Sequence, residues 1–495
     1  MTADAPTLVL GSGIAGLTAG LELARRGVSV EVLEAAPVVG GRTSSFVDER
    51  GRDVDTGLHV VADHYVNLLE LLASVRASKR LIWVRKHTYL RDGRPPMEWY
   101  FSPWRPPLHL VRPVREMPLR SRERLASAFA ALEIASRTQS DLDELDHLSY
   151  RAWHDRYRLG EGFALELAAA ASDAATFLTV DKASARAVLS WMKYLMRHQH
   201  AGDVGLFAGS LDECLTRPLV DAIKALGGVV RTGVAATGFR FEGRRIAGVE
   251  VAEAASGKVV NRADGVVPGL APSRRVLPAE RVVSALPVQA LRAILTPAQA
   301  TDAGLSDAMR LDTTPAMSAI IWFDRAIRPV PEGAPLCTGC AFRDFIDLSV
   351  LGRTGPDAPG SVYQFVITRA DSRVDDTDEQ IIADVHADLG RVWPGAADAR
   401  PVDAAVERIG AAMFAAVPGA HQLRPRVRSA VGGLYVAGDW VRHDANASME
   451  GAALSGRLAA SALLEDLGRP GVVICTPPDQ TVVPALRQLR RRWSA

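Results

Sequence analysis

Three glycines and a carboxylate open this chain at a spacing that could hold a diphosphate. Gly11-Ser12-Gly13-Ile14-Ala15-Gly16 follows the apolar run Leu8-Val9-Leu10, and Glu34-Ala35 begins eighteen residues after Gly16. Where a strand turns into a helix, the first glycine allows the tight turn and the second lets backbone approach a pyrophosphate. The third lets helix and sheet pack closely. The helix N-terminus then offers free N–H groups and its dipole to the diphosphate. Glu34 ends a second apolar run (Val28, Val30, Val32, Leu33), where an acid accepts from the adenosine ribose hydroxyls. The pattern predicts dinucleotide binding.

Gly40-Gly41-Arg42-Thr43 supplies a second close backbone approach, and Arg42 can reach a pyrophosphate oxygen. That favours FAD over NAD. Far along the chain, Gly433-Leu434-Tyr435-Val436-Ala437-Gly438-Asp439 reads as a buried strand ending in a glycine and an acid. Ser448-Met449-Glu450-Gly451-Ala452 then opens a small-residue helix. Asp439 is placed to accept from ribityl hydroxyls, and the helix start at Ser448, Met449 and Ala452 to stabilise negative charge on a reduced flavin.

These segments resemble the FAD-dependent amine oxidase and phytoene desaturase superfamily, and look most like its plant and cyanobacterial-type phytoene and zeta-carotene desaturases. Asp55-Thr56-Gly57-Leu58-His59, Ile321-Trp322-Phe323-Asp324-Arg325, Pro218-Leu219-Val220-Asp221 and the stretch from Ala447 through Arg457 carry the likeness, which runs from about Thr7 to Leu464. The resemblance implies FAD as cofactor, with Gly57, Leu58 and His59 in its site and a backbone group near Val234 against the adenine. It also implies hydride transfer to flavin N5 from a hydrophobic polyene or isoprenoid, with a quinone or similar membrane acceptor. Relatives sharing these motifs include hydroxysqualene dehydroxylases and flavin enzymes that reductively cyclise polyenes. A flavin amine oxidase is the reading from another class, and a non-catalytic FAD module the last. One departure concerns the arginine that plant-type enzymes carry before the Pro218 motif. Cys214 aligns with it here, and Arg217 is the substitute. Arg217, His59 and Tyr363 are the acid–base or stabilising candidates, with Arg217 equally readable as a surface cation paired to Asp212 or Glu213.

Flavin motifs at both ends predict an α/β protein: a discontinuous Rossmann-like FAD domain (1–62, 205–290, 424–468), an α+β substrate domain with a helical subregion (63–204, 291–423) and a tail (469–495). Apolar spacing predicts helices over 66–75, 123–136, 162–175, 185–198 and 378–389. Strands are expected at 318–323, 346–351, 361–368 and 281–287. A hairpin is expected between 229–234 and 247–251, with 254–280 a surface excursion.

At 495 residues, 48% hydrophobic and 23% charged, the composition is that of a large globular chain. A net charge of +1 leaves no electrostatic footprint for nucleic acid. No apolar run approaches the roughly 20 residues of a membrane span, and the N-terminal apolar stretch belongs to the first strand rather than a signal peptide. Four cysteines in this length fit a reducing compartment, which places the protein in the cytoplasm, peripheral on the membrane face. Arg105 to Arg124 carries six Arg against two Glu, interleaved with apolar residues and broken by prolines. Residues 103–124 are therefore the expected lipid contact, the alternative being a basic irregular loop. Leu486 to Trp493 has similar character. Cys337-Thr338-Gly339-Cys340 lacks the second pair a zinc site needs. It reads as two buried or incidental thiols, with a redox-active dithiol as the alternative.

Overall fold

Alternate residues of the first strand enter different cores. In the computed structural model, which describes residues 5–477 apart from 102–103, 105, 107, 159, 198–199, 255–268 and 354–359, Val9 packs into one apolar cluster, Leu8 and Leu10 into another. The strand Thr7–Leu10 is central in a five-stranded parallel sheet, in the order Val229–Arg231, Val30–Leu33, Thr7–Leu10, Val282–Ser284, Leu434–Val436. Helices Ile14–Ala24, Arg217–Ala225 and Met449–Asp466 cover one face, and a three-stranded antiparallel sheet lies against the other. Burial on both faces is what makes parallel strands read as continuous apolar runs.

The expected hairpin is redistributed. Val229–Arg231 joins the parallel sheet beside Val30–Leu33, where the Glu34 N–H donates to the Arg231 carbonyl at 2.8 Å. The chain reverses at Gly233, φ 72°, and Val234–Glu242 makes the hairpin with Arg245–Ala254, Val234 opposite Glu253. The 254–280 excursion is partly a strand as well: Leu270–Pro278 is the third of that sheet. It is an edge strand with mostly exposed side chains, so it carries no apolar period; residues 255–268 lie outside the described residues.

A seven-stranded mixed sheet runs Pro401–Phe414, Thr313–Phe323, Val362–Ile367, Asp344–Asp347, Leu336–Thr338, His87–Arg91, Met97–Trp99. Its pairings are antiparallel except Leu336–Thr338 with His87–Arg91. One face carries Phe323, Phe345, Tyr363 and Phe365 into a core under helix Asp378–Val392. The other turns Ile320, Trp322, Ile346 and Val362 toward Leu58 and Val60. The expected strand at 346–351 stops early, because the Asp347 carboxylate accepts from the Ser349 N–H and closes a 3₁₀ turn over Leu348–Leu351. A helical layer completes the molecule: Ser121–Ser136, Gln139–Asp143, Tyr150–Arg156, Phe163–Thr176 and Ala185–Leu195 pack around Trp153, Tyr150 and Leu142. The basic segment is less irregular than its prolines suggest. Val111–Glu116 forms a short helix with Pro113 in its first turn, a position where proline costs no hydrogen bond.

Candidate functional site

The glycine turn leaves the C-terminal end of the central strand, the edge at which open parallel sheets bind ligands. Gly11 turns with φ 94°, and a Cβ on Gly16 would lie 1.9 Å from the Gly11 carbonyl oxygen, so close packing admits only glycine there. Helix Ile14–Ala24 starts at Gly13 with no side-chain cap and no acid in its first turn, leaving its N–H groups and dipole to a ligand. Gly13 and Gly40 approach as a backbone bridge. A Cβ added at Gly13 would meet nothing nearer than the Gly40 oxygen at 3.9 Å. That is an open cradle of the kind a diphosphate needs.

Glu34 is buried and holds this turn from below. Its carboxylate accepts the Ser12 N–H at 2.8 Å, the Ser12 hydroxyl at 2.6 Å and the Ala36 N–H at 2.9 Å. An ionised carboxylate has about four acceptor sites, so one remains for a ribose hydroxyl. Val234 lies beside it, its N–H donating to the Glu34 carbonyl at 2.8 Å. Gly40, Gly41 and Thr43 form the next turn, closed by the Thr43 hydroxyl on the Gly40 oxygen.

Arg42 differs from its expected role. Its guanidinium forks onto Asp439, at 3.0 Å from Nη1 and 2.7 Å from Nη2, and Nη1 also reaches the Ala412 carbonyl at 2.7 Å. Burial opposes the Arg42 charge, and the Asp439 carboxylate more than restores it. The residues expected at the pyrophosphate and at the adjoining ribityl chain therefore face each other across the same edge. Beyond them the Gly438 N–H donates to the Ser455 hydroxyl at 2.8 Å, tying the Asp439 loop to helix Met449–Asp466. Ser448 caps that helix on the Gly451 N–H. A Cβ on Gly456 would come within 2.4 Å of the Ala15 carbonyl, so this helix lies directly on the one that starts at Gly13. Met449 is buried at its start, and Ala452, one turn on, is half-buried.

Gly57, Leu58 and His59 are brought to the same edge by Thr56, whose hydroxyl donates to the Arg42 carbonyl at 2.9 Å. His59 Nδ1 lies 2.9 Å from the Gly57 carbonyl, an acceptor that fixes the proton on Nδ1 and leaves Nε2 as the acceptor. Burial lowers the His59 pKa, against the Gly57 hydrogen bond. The imidazole is thus neutral near pH 7 and able to take a proton.

The other two candidates lie elsewhere. Arg217 has 61% of its side chain exposed and pairs with Asp212. The helix turn that would have aimed it inward widens into a π turn over Asp212–Thr216, which shifts the side-chain register. Cys214 in that turn is packed in the core, and burial raises its thiol to about 11. Tyr363 stacks on Phe345 at 5.5 Å under helix Asp378–Val392, on the sheet face turned away from His59.

Two functional supports have no sequence signal. Arg424 is buried, and its guanidinium donates to the carbonyls of Asp439 (3.1 Å), Trp440 (3.2 Å), His443 (3.4 Å) and Val441. One side chain thus shapes the whole Asp439 loop. Burial and the neighbouring Arg186 depress it to about 9, so it stays cationic at neutral pH. Glu450 reaches back from the flavin-side helix to accept from the N–H groups of Asn67 (3.1 Å) and Leu68 (2.9 Å), capping helix Val66–Ser74.

The uncapped helix, the open glycine cradle, the buried Glu34 and the Asp439 loop fit FAD, which Gly11–Gly16, Glu34, Gly40–Thr43, Gly438–Asp439 and the start of Met449–Asp466 would hold. Residues 14–464 match the family model described as flavin containing amine oxidoreductase. The chain is 26% identical to 15-cis-phytoene desaturase of Synechococcus elongatus, over 92% of this chain and 95% of that protein. It is 25% identical to the probable zeta-carotene desaturase of the same organism, over 92% and 98%. Among solved structures, a triple mutant of putrescine oxidase superposes with TM-score 0.67 at 15% identity, covering 94% of this chain and 99% of that one. This last likeness speaks to the fold.

Proposed function

From a chain that belongs to the flavin containing amine oxidoreductase family, and so is an FAD-dependent oxidoreductase, we infer a desaturase or dehydrogenase of long apolar polyenes or isoprenoids that works at a membrane surface. When bound, FAD supplies the hydride acceptor, N5 of its ring. The protein supplies the remainder: Glu34 and the glycine turn anchor the nucleotide half, the Asp439 loop and Ser448 helix orient the other, and His59 Nε2 stands ready for a proton.

The observation that carries the substrate class is an apolar surface. Leu125 (62% exposed), Phe129 (58%) and Leu132 lie along one stripe of helix Ser121–Ser136, and Tyr100, Trp104, Leu108 and Val111 are exposed in the segment that precedes it. Most large exposed apolar residues are scattered singly, and a contiguous group marks a contact site. Arginines border it. Arg112 lies 3.5 Å over the Tyr100 ring, and Arg115 and Arg120 are exposed. Apolar wedge and cationic rim suit an anionic lipid surface, on the cytoplasmic face in this reading, with a lipid-soluble quinone as electron acceptor. Among the described residues no helix is long and apolar enough to cross a membrane; residues 486–493, the second expected contact, lie outside the described residues.

The experiment is an anaerobic titration of holoenzyme in liposomes with phytoene, zeta-carotene, squalene, hydroxysqualene and polyamines, read by flavin absorbance. Bleaching by a polyene is expected; bleaching by an amine alone would overturn the reading. If no compound bleaches the flavin, photoreduced enzyme reoxidised by a polyene would instead indicate a reductive cyclase. Separately, changing Arg112, Arg115 and Arg120 together to Glu should weaken binding to anionic vesicles about 100-fold, taking roughly 1 kcal/mol per basic residue at a charged surface. FAD should stay bound, because the Glu123 cap of this helix accepts from the Arg120 backbone N–H rather than its side chain. Unchanged co-sedimentation would remove this face from the lipid contact.

A further inference from the structure

Cys337 and Cys340 end a four-residue turn that leaves strand Leu336–Thr338 at the edge of its pairing with His87–Arg91. Between them Gly339 adopts φ 75°, with open space where a Cβ would stand. The chain doubles back and sets the two thiols near enough to influence each other, while Cys337 Sγ donates to the Pro335 carbonyl and Cys340 Sγ to the Thr338 carbonyl, each at 3.8 Å. Neither sulfur is in a disulfide, and the two are unequally placed: Cys337 is 5% exposed, while Cys340 is half-buried and reaches solvent. The neighbouring Cys337 thiol holds Cys340 below the ordinary thiol pKa, against its partial burial and the nearby Asp388 carboxylate, whereas burial raises Cys337. Arg391 is fixed over the turn by a bond from Nη2 to the Gly339 carbonyl at 3.3 Å. An accessible low-pKa thiol beside a protected partner is the arrangement of a reactive dithiol.

We propose that Cys337 and Cys340 form a reversible dithiol–disulfide site whose co-substrate is a low-molecular-mass disulfide such as oxidised glutathione. The Cys340 thiolate attacks one glutathione sulfur, breaking that S–S bond and releasing one glutathione thiolate, which takes up a proton. Cys337 then loses its proton and attacks Cys340 Sγ, releasing the second glutathione thiol. Two protein thiols are oxidised to one disulfide, and one glutathione disulfide is reduced to two thiols. Thr338, inside the ring so formed, accepts from the Tyr89 hydroxyl at 3.1 Å and meets Glu166 of helix Phe163–Thr176 at 3.5 Å. The oxidation state therefore acts where the seven-stranded sheet meets the helical layer.

The test exposes reduced holoenzyme to oxidised glutathione, blocks free thiols with iodoacetamide and maps peptides by mass spectrometry. The expected product is a Cys337–Cys340 disulfide that dithiothreitol reverses. Cys337→Ser should trap glutathione on Cys340, and Cys340→Ser should leave Cys337 reacting at least ~10-fold more slowly, as a buried, high-pKa thiol does. Flavin absorbance verifies that each variant is folded. Two alkylated thiols at 337 and 340 after exposure, or reaction at Cys214 or Cys475 instead, would overturn the proposal; the wild-type protein alone decides this.

Discussion

Arg424→Met is expected to weaken FAD binding by about 100-fold, the equivalent of roughly 3 kcal/mol. Among the described residues Arg424 forms no salt bridge; its guanidinium instead serves the carbonyls of Asp439, Trp440, Val441 and His443. Methionine fills much of the same volume and removes every donor. Two effects then oppose each other. Removing a buried cation relieves desolvation, whereas orphaned buried carbonyls cost about 1–3 kcal/mol apiece unless the loop moves to find water. The loop can move, because it ends in solvent-reachable residues such as Asp444, so the penalty falls on the position of Asp439 rather than on global stability. Lysine, with charge but no planar fork, should recover only part of the affinity. Equilibrium flavin titration of apoprotein is the measurement. Wild-type affinity in Arg424→Met would show that the Asp439 loop keeps its shape unaided.

Gly16→Ala should yield protein with normal helix content and essentially no flavin. The added methyl would sit 1.9 Å from the Gly11 oxygen and 3.2 Å from the Ala285 Cβ, far inside contact distance. Neither neighbour is the free end of a flexible side chain. The turn must therefore open, and with it the Gly13–Gly40 approach that receives the diphosphate. Gly205→Ala is the control, since its Cβ would come no nearer than 3.5 Å to any atom. The ratio of flavin to protein absorbance and far-ultraviolet circular dichroism separate loss of cofactor from loss of fold; stoichiometric flavin in Gly16→Ala would refute the steric argument.

Legibility in the sequence followed sterics. Gly11 and Gly16 were readable because geometry leaves one residue type, and the apolar strands ending at Leu10 and Leu33 because burial on both faces leaves few polar choices. Apolar spacing puts Val229–Arg231 in a hairpin, whereas it pairs in parallel with Val30–Leu33. It is three residues long, and its partner strand lies some 200 positions earlier, so no local pattern records the pairing. Leu270–Pro278 and Pro401–Phe414 carry no strand signal in the sequence, the first because its exposed edge tolerates Ser, Arg and Pro. The second is half-buried along most of its length and blurs the period of two. Arg424 stands between Leu423 and Pro425 in a stretch with no periodicity, and its partners are backbone atoms that any sequence possesses. Arg217 and Tyr363 show the converse: residue type suggested chemistry, while the π turn and the aromatic core decided position.

The parallel sheet has a consequence for the order of events during synthesis. Its central strand is made before its neighbours, yet its last strand, Leu434–Val436, and the helix resting on Ala15 come more than 400 residues later. At about 5–20 residues per second, the nascent glycine turn waits roughly 20–90 seconds for the chain that closes over it. Through that interval the apolar helix Ile14–Ala24 lacks its largest neighbour. Stable cofactor capture is therefore expected only after Leu434–Val436 and the helix Met449–Asp466 have been made.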